Sequence, residues 1–190
     1  MAAALPVLAT DEPQLLRRGM SSAEYFAGEE TLIPHNLIDG ELYRMPSPRM
    51  LHQRVVGLLF RRFTILSDKV GGEVILSPMD CEFADGTVLQ PDLLYVVSEH
   101  MGIVRDIVHG APDIVVEVLS PGTRRFQRER KLAVYQRHTV REAWVVDPVT
   151  RTVTVHEGAN GAWASVTSVA FGEKIPSKIV DIGDGGLGEL

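Results

Sequence analysis

Residues 113–119 read Asp-Ile-Val-Val-Glu-Val-Leu, and this stretch decides the fold. Its apolar residues follow one another without the alternation of a strand that has one face in water. Such a run, rich in β-branched residues, predicts a central strand that is buried on both faces. Glu117 interrupts the run, and a carboxylate in this setting is costly unless it is paired or bound to a metal.

A helix and a further strand are predicted to follow the central strand. Residues 120–123, Ser-Pro-Gly-Thr, predict a turn, and Thr123 can cap a helix that runs to about His138. Residues 143–148, Ala-Trp-Val-Val-Asp-Pro, predict the next strand. A hairpin, roughly 152–157 and 163–168 with its turn around Asn160-Gly161, comes after it.

A helix and two strands are predicted to precede the central strand. Between Leu51 and Leu66 the apolar residues recur at steps of three and four, which indicates an amphipathic helix. Residues 73–83 and 87–97 are rich in β-formers, and Asp85-Gly86 between them predicts a hairpin. The core order is then helix, strand, strand, strand, helix, strand. This order predicts an α/β (α+β) fold, with a mixed central sheet flanked by helices and an additional C-terminal hairpin.

The two ends of the chain carry weaker patterns. Residues 1–20 have no steady periodicity and are predicted to be a flexible leader, whereas Ser21-Ser22-Ala23-Glu24 is a capping box that predicts a short helix. Residues 36–45 predict a short hairpin, and the Gly-rich residues 181–190 predict a frayed tail. We therefore expect a single domain over residues 21–180.

Composition excludes several classes of protein. The single cysteine, Cys81, excludes an internal disulfide and a Cys-rich zinc site, so a reducing cytoplasm is the simplest compartment. No run of about 18 apolar residues occurs, and a membrane span is not expected. The net charge of -6 argues against binding nucleic acid by bulk electrostatics. Any DNA contact would depend on a local basic patch and on divalent cations.

Asp92 is a second acid beside a buried strand. It follows Pro91 and precedes an apolar run at residues 93–97. Two carboxylates on adjoining strands of one sheet can share a hard cation, and oxygen ligands suit Mg²⁺ or Mn²⁺. Lys131 lies on the predicted helix after Glu117. A helix packed over the sheet could bring its ammonium to the carboxylates, where it could orient water or offset charge developing on phosphorus.

Each of these three residues also has a structural interpretation. An acid after a proline is typical of turns, so Asp92 could simply end a strand ladder. Glu117 could form a structural ion pair with an arginine, and Lys131 could lay its stem along an apolar surface. Their combination, in this order and on these elements, is more informative than any one of them.

Several motifs carry a resemblance to a known family. They include Pro91-Asp92, residues 110–121, residues 131–135 (Lys-Leu-Ala-Val-Tyr) and residues 142–148. In these motifs the chain resembles the Uma-two family of bacterial restriction endonuclease-like proteins, over about residues 20 to 180. That family is assigned to the PD-(D/E)XK nuclease superfamily, whose restriction endonuclease-like core runs αβββαβ. The element order predicted from the residues agrees with that core.

The resemblance implies a catalytic trio and a metal site. Asp92, Glu117 and Lys131 would be catalytic, and Asp92, Glu117 and the Val118 backbone carbonyl would hold Mg²⁺ or Mn²⁺. The implied reaction is hydrolysis of a DNA phosphodiester by an activated water. Double-stranded DNA is the expected substrate, and a homodimer is expected because a duplex needs two cuts.

One departure from the family pattern leaves an alternative open. Family members often carry an Asp where this chain has Gln127, four residues before Lys131. If that Asp helps to orient the lysine, activity here would be weak or altered. The alternative is a catalytically quiet module that keeps the nuclease fold and binds nucleic acid or protein.

Further candidate residues surround this trio. Glu41 could extend the metal site or be a solvated hairpin acid. His52 matches the family pattern, yet it could only cap or pack at a helix start, since the metal route needs no general base. Arg124, Arg125 and Arg128 could contact phosphates, or they could form a solvated helix face.

Overall fold

The computed structural model describes residues 12–29, 31 and 33–188, which form two mixed sheets with helices packed on them. The first elements are β1 (Gln14–Arg17), α1 (Ser22–Phe26), β2 (His35–Ile38), β3 (Glu41–Arg44), α2 (Met50–Val70), β4 (Glu73–Leu76), β5 (Cys81–Glu82), β6 (Val88–Leu89) and β7 (Leu93–Val96). After a 3₁₀ segment (Ser98–Ile103) come β8 (Val108–His109), β9 (Ile114–Val118), α3 (Arg124–Phe126), a π-helical segment (Gln127–Lys131), α4 (Leu132–Arg137), β10 (Glu142–Asp147), β11 (Thr152–Ala159) and β12 (Ala162–Ala170).

Both sheets have six strands. The larger sheet, whose strands are longer, has the order β12-β11-β10-β9-β7-β4, and the smaller sheet has the order β1-β3-β2-β6-β5-β8. In the larger sheet only β9 and β10 are parallel, and the other neighbours are antiparallel. The predicted order of helix, three strands, helix and strand is confirmed by α2, β4, β7, β9, the helical run from α3 to α4, and β10. The capping box of α1, the hairpin of β2 and β3, and the C-terminal hairpin of β11 and β12 are confirmed as well.

The central strand β9 is buried along its whole length. Val116 and Val118 belong to the core cluster that includes Phe63 of α2. Val115 belongs to a second cluster, with Val134 of α4 and Cys81 of the smaller sheet. Both faces of β9 are therefore covered by apolar layers, and this explains why its sequence does not alternate.

The predicted hairpin over residues 73–97 is divided between the two sheets. Its stem, β4 and β7, pairs in the larger sheet, and its tip, β5 and β6, pairs in the smaller sheet. Pro78 and Pro91 stand where each strand leaves one sheet for the other, and proline cannot donate a hydrogen bond to a strand ladder. Asp92 therefore lies at a corner of the larger sheet, where β7 begins.

The predicted helix from Thr123 to His138 forms, but it is not a uniform α-helix. Five residues, Gln127–Lys131, form a π-helical segment between α3 and α4. A π-helical turn is wider than an α-helical turn, and such segments are rare and frequently found at functional sites. Propensity and periodicity did not predict this change of geometry, which lies directly before the face of α4 that covers β9.

Some described residues near the ends of the chain make contacts that the sequence did not predict. Within the expected leader, β1 pairs antiparallel with β3, while residues 1–11 lie outside the described part. Within the expected frayed tail, Leu187 is buried in the α2 core cluster, and its N–H donates to the Phe171 carbonyl at 2.8 Å. Isolated apolar residues in these Gly-rich or aperiodic stretches carry no period from which packing could be predicted.

Candidate active site

The pairing of β7 with β9 brings Asp92 and Glu117 together. Leu93 lies opposite Val116 and Leu94 opposite Val115. Continuing this register by one residue places Asp92 opposite Glu117, and opposed residues project to the same face with their Cβ atoms about 5 Å apart. The Val118 N–H donates to Asp92 Oδ2 at 2.7 Å, which extends the contact between the two strands. The two acids therefore form a pair on one face of the sheet.

The Glu117 carboxylate is buried and multiply hydrogen-bonded. Only 1% of the residue is exposed. Lys131 Nζ lies 2.8 Å from both carboxylate oxygens, and the Tyr135 hydroxyl donates to Oε1 at 2.5 Å. Burial raises the pKa of Glu117, whereas the charge of the Lys131 ammonium opposes that shift and the nearby Asp92 adds to it. A buried, paired carboxylate of this kind is costly to maintain and typical of a functional site.

Lys131 reaches this carboxylate from the end of the π-helical segment. Its Nζ also donates to the backbone carbonyl of Gln90 at 3.1 Å, one residue before Pro91-Asp92. Because residues four apart share a face of a helix, Lys131 and Tyr135 both project over Glu117. The ammonium is thereby held between the strand that carries Glu117 and the corner that carries Asp92.

His52, on the first turn of α2, also lies in the site. Its Nε2 is 3.2 Å from Asp92 Oδ2, and the residue is buried. Burial lowers the pKa of His52, but the hydrogen bond to Asp92 and the charges of Asp92 and Glu117 outweigh it, so that the net shift is upward. His52 therefore contacts Asp92, and its role at the site stays a prediction.

A pocket of about 290 Å³ opens above these residues. Its polar lining includes Asn36, His52, Gln90, Asp92 and Lys131. The side chain of Asp92 is 17% exposed, so it is the acid of the pair that a molecule in the pocket can reach. Glu117 and Tyr135 are not among the residues that line the pocket. Lys131 both lines the pocket and contacts Glu117.

The donor atoms fit a hard divalent cation. Within residues 12–29, 31 and 33–188, no group of three or more His, Cys, Asp or Glu side chains is arranged to hold a metal. The site instead offers two opposed carboxylates, and Mg²⁺ often binds through one or two carboxylates while it keeps several waters. Oxygen donors are also the class that Mg²⁺ and Mn²⁺ prefer. The residues present therefore fit Mg²⁺ or Mn²⁺ better than zinc.

Glu41 is engaged away from the pocket. Its carboxylate accepts from Arg130 at 2.8 Å and pairs with Arg18 at 3.1 Å, and the Tyr43 hydroxyl also donates to it. It is not among the residues that line the pocket. The structure thus places Glu41 in a cluster that ties β3 to the π-helical segment, rather than beside Asp92.

The predicted phosphate-binding arginines are only partly described. Arg125 is exposed, and its Nε donates to Glu129 at 2.9 Å. The side chains of Arg124, Gln127 and Arg128 lie outside the described part of the structure. Their contacts with phosphate, and the effect of Gln127 on Lys131, remain predictions.

Sequence reasoning missed three residues around the trio. Tyr135 contacts Glu117, Gln90 accepts from Lys131, and the Asn36 side chain accepts from the Gln90 N–H at 2.9 Å. Tyr135 had a usable signal, because its spacing of four from Lys131 puts both on one helix face. Gln90 and Asn36 had none, since one acts through its backbone carbonyl and the other comes from the smaller sheet.

Comparison with known proteins identifies the family of this chain. Residues 22–183 match the sequence profile of the Uma2 family, which is described as "Putative restriction endonuclease". The chain belongs to the Uma2 family. The family resemblance predicted from the motifs is therefore confirmed, and the nuclease description applies to the family as a whole. A search of curated proteins found no match.

A solved structure supports the same fold for this Uma2 protein. It is a crystal structure described as a "putative nuclease belonging to DUF820 from Anabaena variabilis ATCC 29413", with a TM-score of 0.72 and 17% identity. The match covers 86% of this chain and 95% of that chain. The predicted restriction endonuclease-like fold class is confirmed. In the described part of the chain, no helix has the length and apolar character needed to cross a membrane.

Proposed function

We propose that this Uma2 protein is a Mg²⁺- or Mn²⁺-dependent endonuclease that hydrolyses DNA phosphodiester bonds. One observation carries the proposal: Asp92, directly before β7, falls opposite Glu117 of β9 when the strand register is continued by one residue. Lys131 bonds Glu117, and both Asp92 and Lys131 line an open pocket. A scaffold without chemistry would have little reason to keep two acids and an ammonium in this position, because burying such charges is costly.

The residues of the site would have separate roles in cation binding, charge stabilisation and orientation. Asp92, Glu117 and the Val118 carbonyl would hold the cation. When bound, a divalent cation stabilises negative charge on phosphoryl oxygens and makes water a better nucleophile at neutral pH. Lys131 would place a positive charge where charge develops on the phosphoryl group, with the Gln90 carbonyl fixing its direction. His52 would hold Asp92 in orientation.

Contacts with the DNA backbone would come from the helical run beside the pocket. We propose that Arg124, Arg125 and Arg128 contact phosphates, because Thr123 and Lys131, on either side of these arginines, line the pocket. Such contacts position the nucleic acid without reading its sequence. Since the whole chain carries a net charge of -6, binding would depend on this local patch and on divalent cations.

One feature of the site favours the quiet binding module instead. Lys131 and Tyr135 both donate hydrogen bonds to the Glu117 carboxylate. An ion pair that is complete in itself is also what a purely structural role for Glu117 would produce. The two functions differ in whether substrate is cleaved, so a cleavage assay separates them.

The test is cleavage of supercoiled plasmid by purified protein with Mg²⁺, Mn²⁺ or EDTA. We expect the wild type to nick the plasmid with either metal and not with EDTA. Asp92→Asn and Lys131→Met keep the shape of each side chain and should each reduce the rate by about 10²-fold or more. Asp113→Asn is the matched control, because Asp113 is a buried acid that accepts from the Val97 N–H at the other end of β9.

The outcomes separate three explanations. Activity that persists in both site variants would place the chemistry elsewhere or point to a contaminating nuclease. Activity lost equally in Asp113→Asn would indicate that disturbing any buried acid is sufficient. A folded wild type that binds plasmid in a gel-shift assay but never cleaves it would support the quiet module.

A further inference from the structure

We propose that Tyr135 is a positioning residue that fixes the orientation of the Glu117 carboxylate for cation binding. This inference rests on the proposed metal-dependent function. Tyr135 was not among the candidate residues identified from the sequence, and it does not line the pocket. Its effect would therefore be exerted through Glu117 and not through contact with substrate.

The hydrogen bonds of Glu117 make the two carboxylate oxygens different. Lys131 Nζ lies at the same distance, 2.8 Å, from Oε1 and Oε2, so this contact does not distinguish the oxygens. The Tyr135 hydroxyl lies at 2.5 Å from Oε1 alone. A symmetric contact restrains the position of the carboxylate, whereas a second donor on one oxygen also restrains its rotation about the terminal bond.

The surroundings of Tyr135 keep its hydroxyl in place as a donor. The side chain is fully buried, and its ring packs near Phe83 with the centroids 6.1 Å apart. This packing directs the hydroxyl at Glu117, to which it donates.

Cation binding would require Lys131 to share Glu117 with the metal. Since Lys131 contacts both oxygens, a cation on the same carboxylate would repel the ammonium and weaken its bonds to Glu117. The Tyr135 bond need not change, because it uses a separate donor on α4. Tyr135 would thus preserve the carboxylate orientation during the exchange. Residues that orient a metal ligand in this way typically contribute a factor of about 10 to 100 in metal affinity.

The experiment compares Mn²⁺ binding by the wild type, Tyr135→Phe and Tyr95→Phe, measured by electron paramagnetic resonance of free Mn²⁺. Tyr95 is the matched control, because its buried hydroxyl donates at 2.6 Å to the Gly71 carbonyl, on the other side of the larger sheet. We expect Tyr135→Phe to weaken Mn²⁺ binding by about 10-fold or more, and Tyr95→Phe to leave it unchanged. Both variants should show similar losses in melting temperature.

A second pair of variants tests whether the effect passes through Glu117. In a Glu117→Gln background, adding Tyr135→Phe should produce no further loss of Mn²⁺ affinity. An additional loss of about 10-fold there would overturn the proposal, because Tyr135 would then act without Glu117. In nicking assays at saturating Mn²⁺, the Tyr135→Phe rate should recover more fully than that of Asp92→Asn.

Failure of the inference can be told apart from failure of the proposed function. If the wild type binds Mn²⁺ and cleaves, but Tyr135→Phe binds Mn²⁺ equally well, the inference is wrong and the nuclease function stands. If the wild type neither binds Mn²⁺ nor cleaves, the proposed function is wrong and the inference falls with it. A melting temperature for Tyr135→Phe far below that of Tyr95→Phe would show a structural role and would also overturn the inference.

Discussion

At the scale of single residues, the ion pair of Glu117 and Lys131 is the buried charge pair of the site. Both residues are nearly inaccessible to solvent, with 1% and 2% exposed, and their charges contact each other directly. A buried pair of this type adds little net stability, because desolvation offsets the attraction between the charges. Removing one partner is much more damaging, because the other charge then remains buried without compensation.

We predict that Lys131→Met destabilises the protein in a pH-dependent way. Without the ammonium, burial and Asp92 keep the folded-state pKa of Glu117 raised above its unfolded value, which is about 4.3. The folded state then binds this proton more tightly than the unfolded state does. The stability that the bound proton contributes is fully present below the unfolded pKa of Glu117 and is lost as pH rises through its folded pKa. Near pH 7 we expect a loss of about 3 kcal/mol in the free energy of unfolding.

Urea unfolding at pH 5 and pH 8 measures this effect. The variant should lose more stability relative to the wild type at pH 8 than at pH 5. Lys174→Met, at an exposed lysine that pairs with Asp181, is the control and should show no comparable dependence. An equal loss at both pH values would indicate lost packing of the lysine stem rather than an uncompensated Glu117 charge.

At the scale of elements, the C-terminal segment closes the larger core. Phe171, Ile182 and Leu187 lie in the same cluster as the buried face of α2. The segment is also tied to β10, because the buried Glu142 carboxylate accepts from the Ser177 hydroxyl at 2.7 Å and from the Lys178 N–H at 2.7 Å. These contacts pack the segment against the core and against β10.

We predict that Leu187→Ala reduces the free energy of unfolding by about 2 to 5 kcal/mol. The reason is that Leu187 is almost completely buried, so its truncation removes apolar contacts and leaves a cavity. Leu16→Ala is the control, because Leu16 is 47% exposed and its truncation should cost less than about 0.5 kcal/mol. Similar midpoints for both variants in urea unfolding would contradict the docking of residue 187.

At the scale of the whole molecule, assembly stays a prediction. Cutting both strands of a duplex needs two sites, and a symmetric pair of chains provides them. We expect sedimentation equilibrium to give a mass of about twice 20.9 kDa at micromolar concentration. A mass of 20.9 kDa at every concentration, with and without Mg²⁺ and a short duplex, would contradict the dimer.

The sequence by itself determined the elements whose signals are local. The β-branched run around Val116 required a strand buried on both faces, and the same run made Glu117 conspicuous as an acid out of place. The apolar period between Leu51 and Leu66 predicted α2, and the turn at Asp85-Gly86 predicted the pairing of β5 with β6. These features follow from side-chain shape, period and turn preference, which neighbouring residues carry on their own.

The tertiary structure decided everything that depends on contacts between distant residues. The register of β7 against β9, continued by one residue, sets Asp92 opposite Glu117. The π-helical segment and α4 bring Lys131 and Tyr135 to the same carboxylate. Arg130, on the π-helical segment, pairs with Glu41 of β3, which does not line the pocket. Strand register and helix placement minimise the free energy of the whole core, so no local pattern encodes which side chains will meet.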